Sequence, residues 1–170
     1  ITFVEQPEAP VIFLTSATSD ITCLSSVLKQ PQNKEWRNNI RALPIAYLSS
    51  NAAIDHYISS TCHKAKIIVV RFLGSRSNWS YGFEQLTLWQ LEKPNRKLIV
   101  VSGLESSADD LIEISSINTK QVKYIQLILN QGGVKNYNYL LNILYKIRIN
   151  YVGKLDYKYI EYNDDLIKWN

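Results

Sequence analysis

At 170 residues, 46% of them hydrophobic, the chain has the length of one domain with a real core and is too apolar to be disordered. A chain of this size removes about 70% of its surface from water on folding. The formal charge of +4 and the pI near 9.0 lean mildly toward acidic ligands, but the Lys and Arg residues are scattered, which argues against a nucleic-acid tail.

Residues 1–9 read as a short strand or arm, with Pro7 inside it. Val11 to Leu14 is a four-residue apolar run of the kind that forms a buried parallel strand. The hydroxyl-rich turn Thr15 to Asp20 follows, with Ser19 or Asp20 as the expected helix N-cap. Ile21, Leu24, Val27 and Leu28 repeat at helical spacing, and Pro31 stops that helix. Gln32 to Asn39 is polar and reads as loop, with Trp36 anchoring it. Ala42 to Leu48 is the expected second strand, placed at an edge by Pro44. Ser49 to Asn51 caps a helix spanning Ala52 to His63.

Ile67 to Val70 is the third strand. A polar turn, Arg71 to Ser80, leads to a helix carrying Phe83, Leu86 and Trp89 and broken near Lys93 by Pro94. Leu98 to Val101 is the fourth strand, closed by Ser102-Gly103. Ser106-Ser107 caps a short helix with Asp109 and Asp110 in its first turn, where the helix dipole favours acids. A helix from Thr119 carries Val122, Ile125 and Leu129 and ends at Gly132-Gly133. Tyr137, Leu140, Leu141, Leu144 and Ile147 mark a final helix. Near Asn150 the composition turns tyrosine-rich, so 1–150 reads as an α/β domain and 151–170 as an edge strand or the start of a linker or neighbouring domain.

Strands alternating with helices predict a flavodoxin-like or Rossmann-like three-layer sandwich, with a mainly parallel sheet of about four strands plus C-terminal helices. Cys23 and Cys62 lie far apart, so a disulfide framework is not expected, and a reducing, cytoplasmic compartment is. No apolar run approaches the ~20 residues that span a bilayer. With Ile1 at its start and no methionine, the chain reads as a trimmed fragment, a processed product, or a sequence with its methionine positions left out. Neither G-x-G-x-x-G nor a Walker loop occurs.

The stretch Arg71-Phe-Leu-Gly74-Ser-Arg76-Ser-Asn-Trp79-Ser-Tyr81-Gly82-Phe-Glu84-Gln-Leu86 resembles the R-x-L-G-G-R-x-x-W-x-Y-G-x-E-x-L block near the amino terminus of the large subunit of cobaltochelatase (CobN type), a family that includes the H subunit of magnesium chelatase. The likeness runs on more loosely through Lys97 to Gly103, Ile114-Ser-Ser-Ile117 and Leu129-Asn-Gln-Gly132-Gly133, and so covers most of the chain. Ser75 replaces the second glycine, so its backbone is not expected to need positive φ. Leu104-Glu105 replaces an acidic pair, so the family's acidic role after Gly103 is not carried over. The resemblance implies an amino-terminal domain of an ATP-dependent enzyme that inserts cobalt into a corrin ring, hydrogenobyrinic acid a,c-diamide, in cobalamin biosynthesis. It implies as partners the remainder of the large subunit, AAA+ ATPase subunits and the corrinoid. It places no cofactor in this fragment, since cobalt and ATP belong to the full complex, and leaves the isolated fragment inactive.

Loops at the carboxyl ends of parallel strands are where open α/β sheets hold ligands. Arg71, Gly74, Arg76, Trp79, Tyr81, Gly82 and Glu84 are therefore the candidate substrate-binding or structural turn. The two guanidiniums either grip corrin carboxylates or brace the turn through loop carbonyls or Glu84. Trp79 and Tyr81 either stack on a macrocycle or pack a helix start against the sheet. Thr15, Ser16 and Thr18 form a candidate anion-binding turn, with plain capping as the alternative. His56, Cys62 and His63 are the only cluster of metal-ligand types. The two histidines share a helix face at the wrong spacing for zinc, so no metal site and no catalytic residue is assigned. Asp109-Asp110 reads as a solvated helix start, and the Lys and Tyr residues around Lys146, Arg148, Lys154 and Lys158 as composition rather than a nucleic-acid surface.

Two other readings stand beside the chelatase: a non-catalytic ligand-binding or subunit-docking module, and the magnesium chelatase H subunit acting on a porphyrin. A crevice lined by Thr15 to Thr18 and Arg71 to Arg76 favours substrate contact, whereas a filled end favours docking.

Overall fold

The computed structural model describes residues 3–103 and 109–150. The readings made for Ser106-Ser107, Leu104-Glu105 and 151–170 lie outside the described residues. Four strands, β1 (Val11–Thr15), β2 (Ile40–Pro44), β3 (Ile67–Phe72) and β4 (Lys97–Ser102), form one all-parallel sheet in the order β2-β1-β3-β4. The near-continuous burial of β1, β3 and β4 is what a parallel sheet covered on both faces requires.

Alternation along the strands divides the core in two. Ile12, Leu14, Ile68, Val70, Leu98 and Val100 face one side, covered by α2 (Asn51–Ser59) and α3 (Ser80–Glu92). Val11, Phe13, Ile67, Val69, Ile99 and Val101 face the other, covered by α1 (Thr18–Leu28), α5 (Thr119–Gln131) and α6 (Val134–Arg148). A single turn, α4 (Asp109–Ile112), buries Leu111 and Ile112 after β4. The α/β sandwich read from the sequence is the observed architecture.

Several boundaries differ from the expected ones. The second strand is Ile40–Pro44, not Ala42 to Leu48, because Ile45–Leu48 winds into a 3-10 turn directly after Pro44. Pro44 does sit on an edge strand. The polar stretch expected as loop is a 3-10 helix, Pro31–Asn38, and Trp36 packs from it against the α1/α5/α6 core. Helix α1 begins at Thr18 behind Ala17, with no side-chain cap, so neither Ser19 nor Asp20 is its N-cap. Ser50 caps α2 by accepting from the Ala53 N–H at 3.1 Å, but α2 stops at Ser59. His63 therefore lies in the following turn and shares no helix face with His56. Arg71 and Phe72 belong to β3 rather than to the turn after it.

Both sheet edges are guarded. On β2, Gln6 Nε2 donates to the Ala42 carbonyl, Arg41 Nη1 donates to Ile40 O, and Pro44 has no N–H to offer. On β4, Ser116 Oγ accepts from Leu98 N, Ser115 Oγ from Val100 N and Gln126 Oε1 from Ser102 N. Side chains thus replace a fifth strand, which removes a template for edge-to-edge pairing.

Candidate functional site

Parallel pairing brings Thr15, Arg71 and Val101 into one row at the carboxyl ends of β1, β3 and β4. Arg71 has the parity of Ile67 and Val69, so its side chain enters the face covered by α1, α5 and α6. There Nη1 donates to both carboxylate oxygens of Asp20, at 2.8 and 2.9 Å, and Nη2 donates to Asn130 Oδ1 at 3.1 Å. Asp20 also accepts from Thr15 Oγ1 at 2.6 Å and from the Tyr137 hydroxyl at 2.8 Å. The Arg71 and Asp20 side chains are only 13% and 6% exposed. One buried carboxylate thus collects a strand cation, a strand hydroxyl and a phenol from α6, while Asn130 ties in α5. Burial, and then the Asp20 charge, push the Tyr137 phenol far above its ordinary value, so it stays a donor.

Asp20 was absent from the sequence-derived site. The signal for it was present: Asp20, Leu24 and Val27 form the buried stripe of α1, and an acid on such a stripe requires a cation. Arg71 braces the fold through that acid, not through loop carbonyls or Glu84.

The hydroxyl turn is engaged in the same way. Thr15 Oγ1 donates to Asp20 and accepts from Ala17 N, and Ser16 Oγ accepts from Leu73 N. An anion placed there would lie beside the Asp20 carboxylate. Thr18 is exposed at the start of α1.

The loop after β3 is shaped by two glycines. Gly74 has φ of +138°, a conformation that a side chain rarely adopts. Ser75, at φ of −88°, needs no glycine and forms a capping box with Asn78. Trp79 then turns inward: it is 8% exposed and its indole N–H donates to Leu48 O at 2.9 Å. Its ring stacks near Phe72 and meets Phe83 edge-on at 5.1 Å. A Cβ on Gly82 would lie 2.2 Å from that indole, so glycine is what lets Trp79 lie on the first turn of α3. Trp79 packs the helix start against the sheet and presents no face to a macrocycle.

Tyr81 points elsewhere: its hydroxyl donates to both oxygens of Asp55, at 2.8 and 3.0 Å, linking α3 to α2. That bond raises the Tyr81 pKa. Arg76 and Glu84 are exposed and make no hydrogen bond or ion pair among the described residues. The candidate turn therefore separates into a buried brace (Arg71, Trp79, Gly82), a surface link (Tyr81) and two free charges.

Among the described residues no group of three His, Cys, Asp or Glu side chains is placed to hold a metal. His56 stacks on Phe3 and meets Glu5 at 3.1 Å, and burial raises the Cys62 thiol pKa far out of reach. Both cysteines are free thiols. No helix among the described residues is long and apolar enough to cross a membrane. Cavities of about 450, 270 and 330 Å³ lie beside α1 and β2, between the Pro31–Asn38 turn and α6, and between α2 and α3. None of these three is lined by Thr15 to Thr18 or by Arg71 to Arg76.

No protein-family model and no curated protein sequence matches the chain. Among solved structures, the catalytic subunit of cobaltochelatase from Mycobacterium tuberculosis superposes on 92% of the chain, with a TM-score of 0.66 and 22% sequence identity. The fold is that of a segment of a cobaltochelatase catalytic subunit. The chain spans 12% of that subunit's length. On this shared fold, the segments that carried the family resemblance are framework. Ser115 and Ser116 of the Ile114 to Ile117 segment seal the edge of β4. In the Leu129 to Gly133 segment, Asn130 holds Arg71, and Gly132, at φ of +68°, ends α5.

Proposed function

We propose that the chain is the amino-terminal domain of the large subunit of an ATP-dependent cobaltochelatase, within a complex that inserts cobalt into a corrin ring, hydrogenobyrinic acid a,c-diamide, on the route to cobalamin. The reading is supported by the superposition on 92% of the chain together with the Arg71 to Leu86 block, which falls on β3, its loop and α3. AAA+ subunits hydrolyse the ATP, in keeping with a chain that has no Walker loop.

Within that complex the domain scaffolds rather than reacts. Metal insertion needs convergent imidazole or carboxylate ligands, and the described residues offer no such group. The closed strand end favours docking over substrate contact: Arg71 is held by Asp20 and Asn130, and the charges of Arg76 and Glu84 remain exposed, with Leu73 beside them, to meet another surface. The test is reconstitution of the complete large subunit with its AAA+ subunits, ATP, cobalt and the corrin diamide. Cobalt corrin forms with the complete subunit and not with the 170-residue chain alone. Metal insertion by the isolated chain would refute the scaffolding role, and magnesium insertion into a porphyrin by the complete complex would transfer the protein to the magnesium branch.

A further inference from the structure

The cavity of about 450 Å³ beside α1 and β2 shares no lining residue with α6 or with the strand end described above. Its volume is in the range of about 300–1,000 Å³ typical of small-molecule sites. Ile21, Leu24 and Leu28 line it from α1, and Ile40 and Ala42 from β2. Ile21, Leu28 and Ala42 are only half-buried, so apolar surface is left in contact with water. The apolar lining is entirely aliphatic.

Two cations, Lys29 and Arg37, border this cavity, and no carboxylate does. Arg37 is fixed in place: its Nε donates to Leu28 O at 2.6 Å and its Nη2 to Lys29 O at 3.0 Å, which satisfies carbonyls at the end of α1. Its Nη1 has no hydrogen-bond partner among the described residues, and neither Arg37 nor Lys29 has an ion pair there. The helix end keeps one guanidinium edge oriented while leaving the other free.

We propose that this cleft binds a medium-chain aliphatic carboxylate, with its chain along Leu24, Leu28 and Ile40 and its carboxylate against Arg37 and Lys29. An aliphatic body fits the lining, and a single anionic head fits a rim with two cations and no acid. The site does not depend on the chelatase reading.

The test is calorimetric titration of decanoate, below its micellar concentration, into the 170-residue chain, with decanol and acetate as comparison probes. Decanoate binds saturably at one site, decanol about fivefold more weakly for want of the charge contact, and acetate not at all. Lys29→Gln, at a side chain the fold does not use, and Arg37→Gln each weaken decanoate about threefold or more and leave decanol unchanged. Ser25→Trp, at an exposed α1 position on the cleft, abolishes binding of both while leaving the melting temperature within a few degrees. No saturable decanoate binding up to about 1 mM overturns the proposal, as do equal affinities for decanoate and decanol, or indifference to all three substitutions.

Discussion

Gly82 shows how one atom decides a local structure. The Trp79 indole occupies the space where a Cβ would project, 2.2 Å away, and the ring has no slack because its N–H is bonded to Leu48 O and it is stacked near Phe72 and set edge-on to Phe83. Gly82→Ala therefore costs about 1–3 kcal/mol by overpacking, despite alanine's better helix propensity. Chemical denaturation reads the loss, and a red shift of tryptophan emission reports the displaced ring. A stabilised variant would mean that Trp79 is not seated on α3.

Tyr57 is another residue whose burial has a measurable consequence. It is fully buried, and desolvation, reinforced by the nearby Cys62, pushes its phenol far above the ordinary 10.0. The unfolded chain releases that proton near pH 10 while the folded chain keeps it. Stability present below about pH 10 therefore falls as pH rises above it, by up to about 1.4 kcal/mol per pH unit for this group. Tyr57→Phe loses the bond to Gln6 Oε1 but also this pH dependence. Between about pH 8 and pH 11 the variant should lose less stability than the parent. Equal losses would show that the phenol ionises freely in the folded protein.

Among the elements, β4 is the most informative. It is an edge strand, yet its outward N–H groups at Leu98, Val100 and Ser102 are all received by side chains from the segment that follows. Replacing Ser115 and Ser116 together by Ala leaves two of these donors to water. Amide exchange at Leu98 and Val100 should accelerate by at least tenfold, with about 1–2 kcal/mol lost in global stability. Unchanged exchange would mean that helix packing alone shields the edge. Strands β1, β3 and β4 were legible because each holds a short apolar run bounded by polar residues, whereas β2, with Arg41 inside it and Pro44 at its end, was expected two residues too late and ran on into the 3-10 turn. The 3-10 helix Pro31–Asn38 was not: it is mostly polar, and it is held by its fit against α1 and α6 rather than by an apolar stripe of its own. The end of α2 was misread because Cys62 continues the apolar spacing although the helix has already unwound at Ser60.

Over the whole molecule, periodicity carried the layer architecture, and charge arrangement did not follow from it. The sheet, its parallel sense and the position of the Arg71 loop at the strand ends were readable from local pattern. The bonds that close that end join residues 51, 59 and 117 positions apart, and no local spacing encodes them. At that end Arg71 forms a buried tie among β3, α1, α5 and α6, and the charges of Arg76 and Glu84 lie outside it. A double-mutant cycle on Asp20→Asn and Arg71→Gln, followed by denaturant unfolding, measures that tie. Each single substitution should cost about 3–5 kcal/mol, with Asp20 and Arg71 coupled by at least about 1.5 kcal/mol and Arg76→Gln neutral. If Arg71→Gln unfolds at the parent midpoint, Arg71 does not hold the fold, and the strand end returns to contention as a binding site.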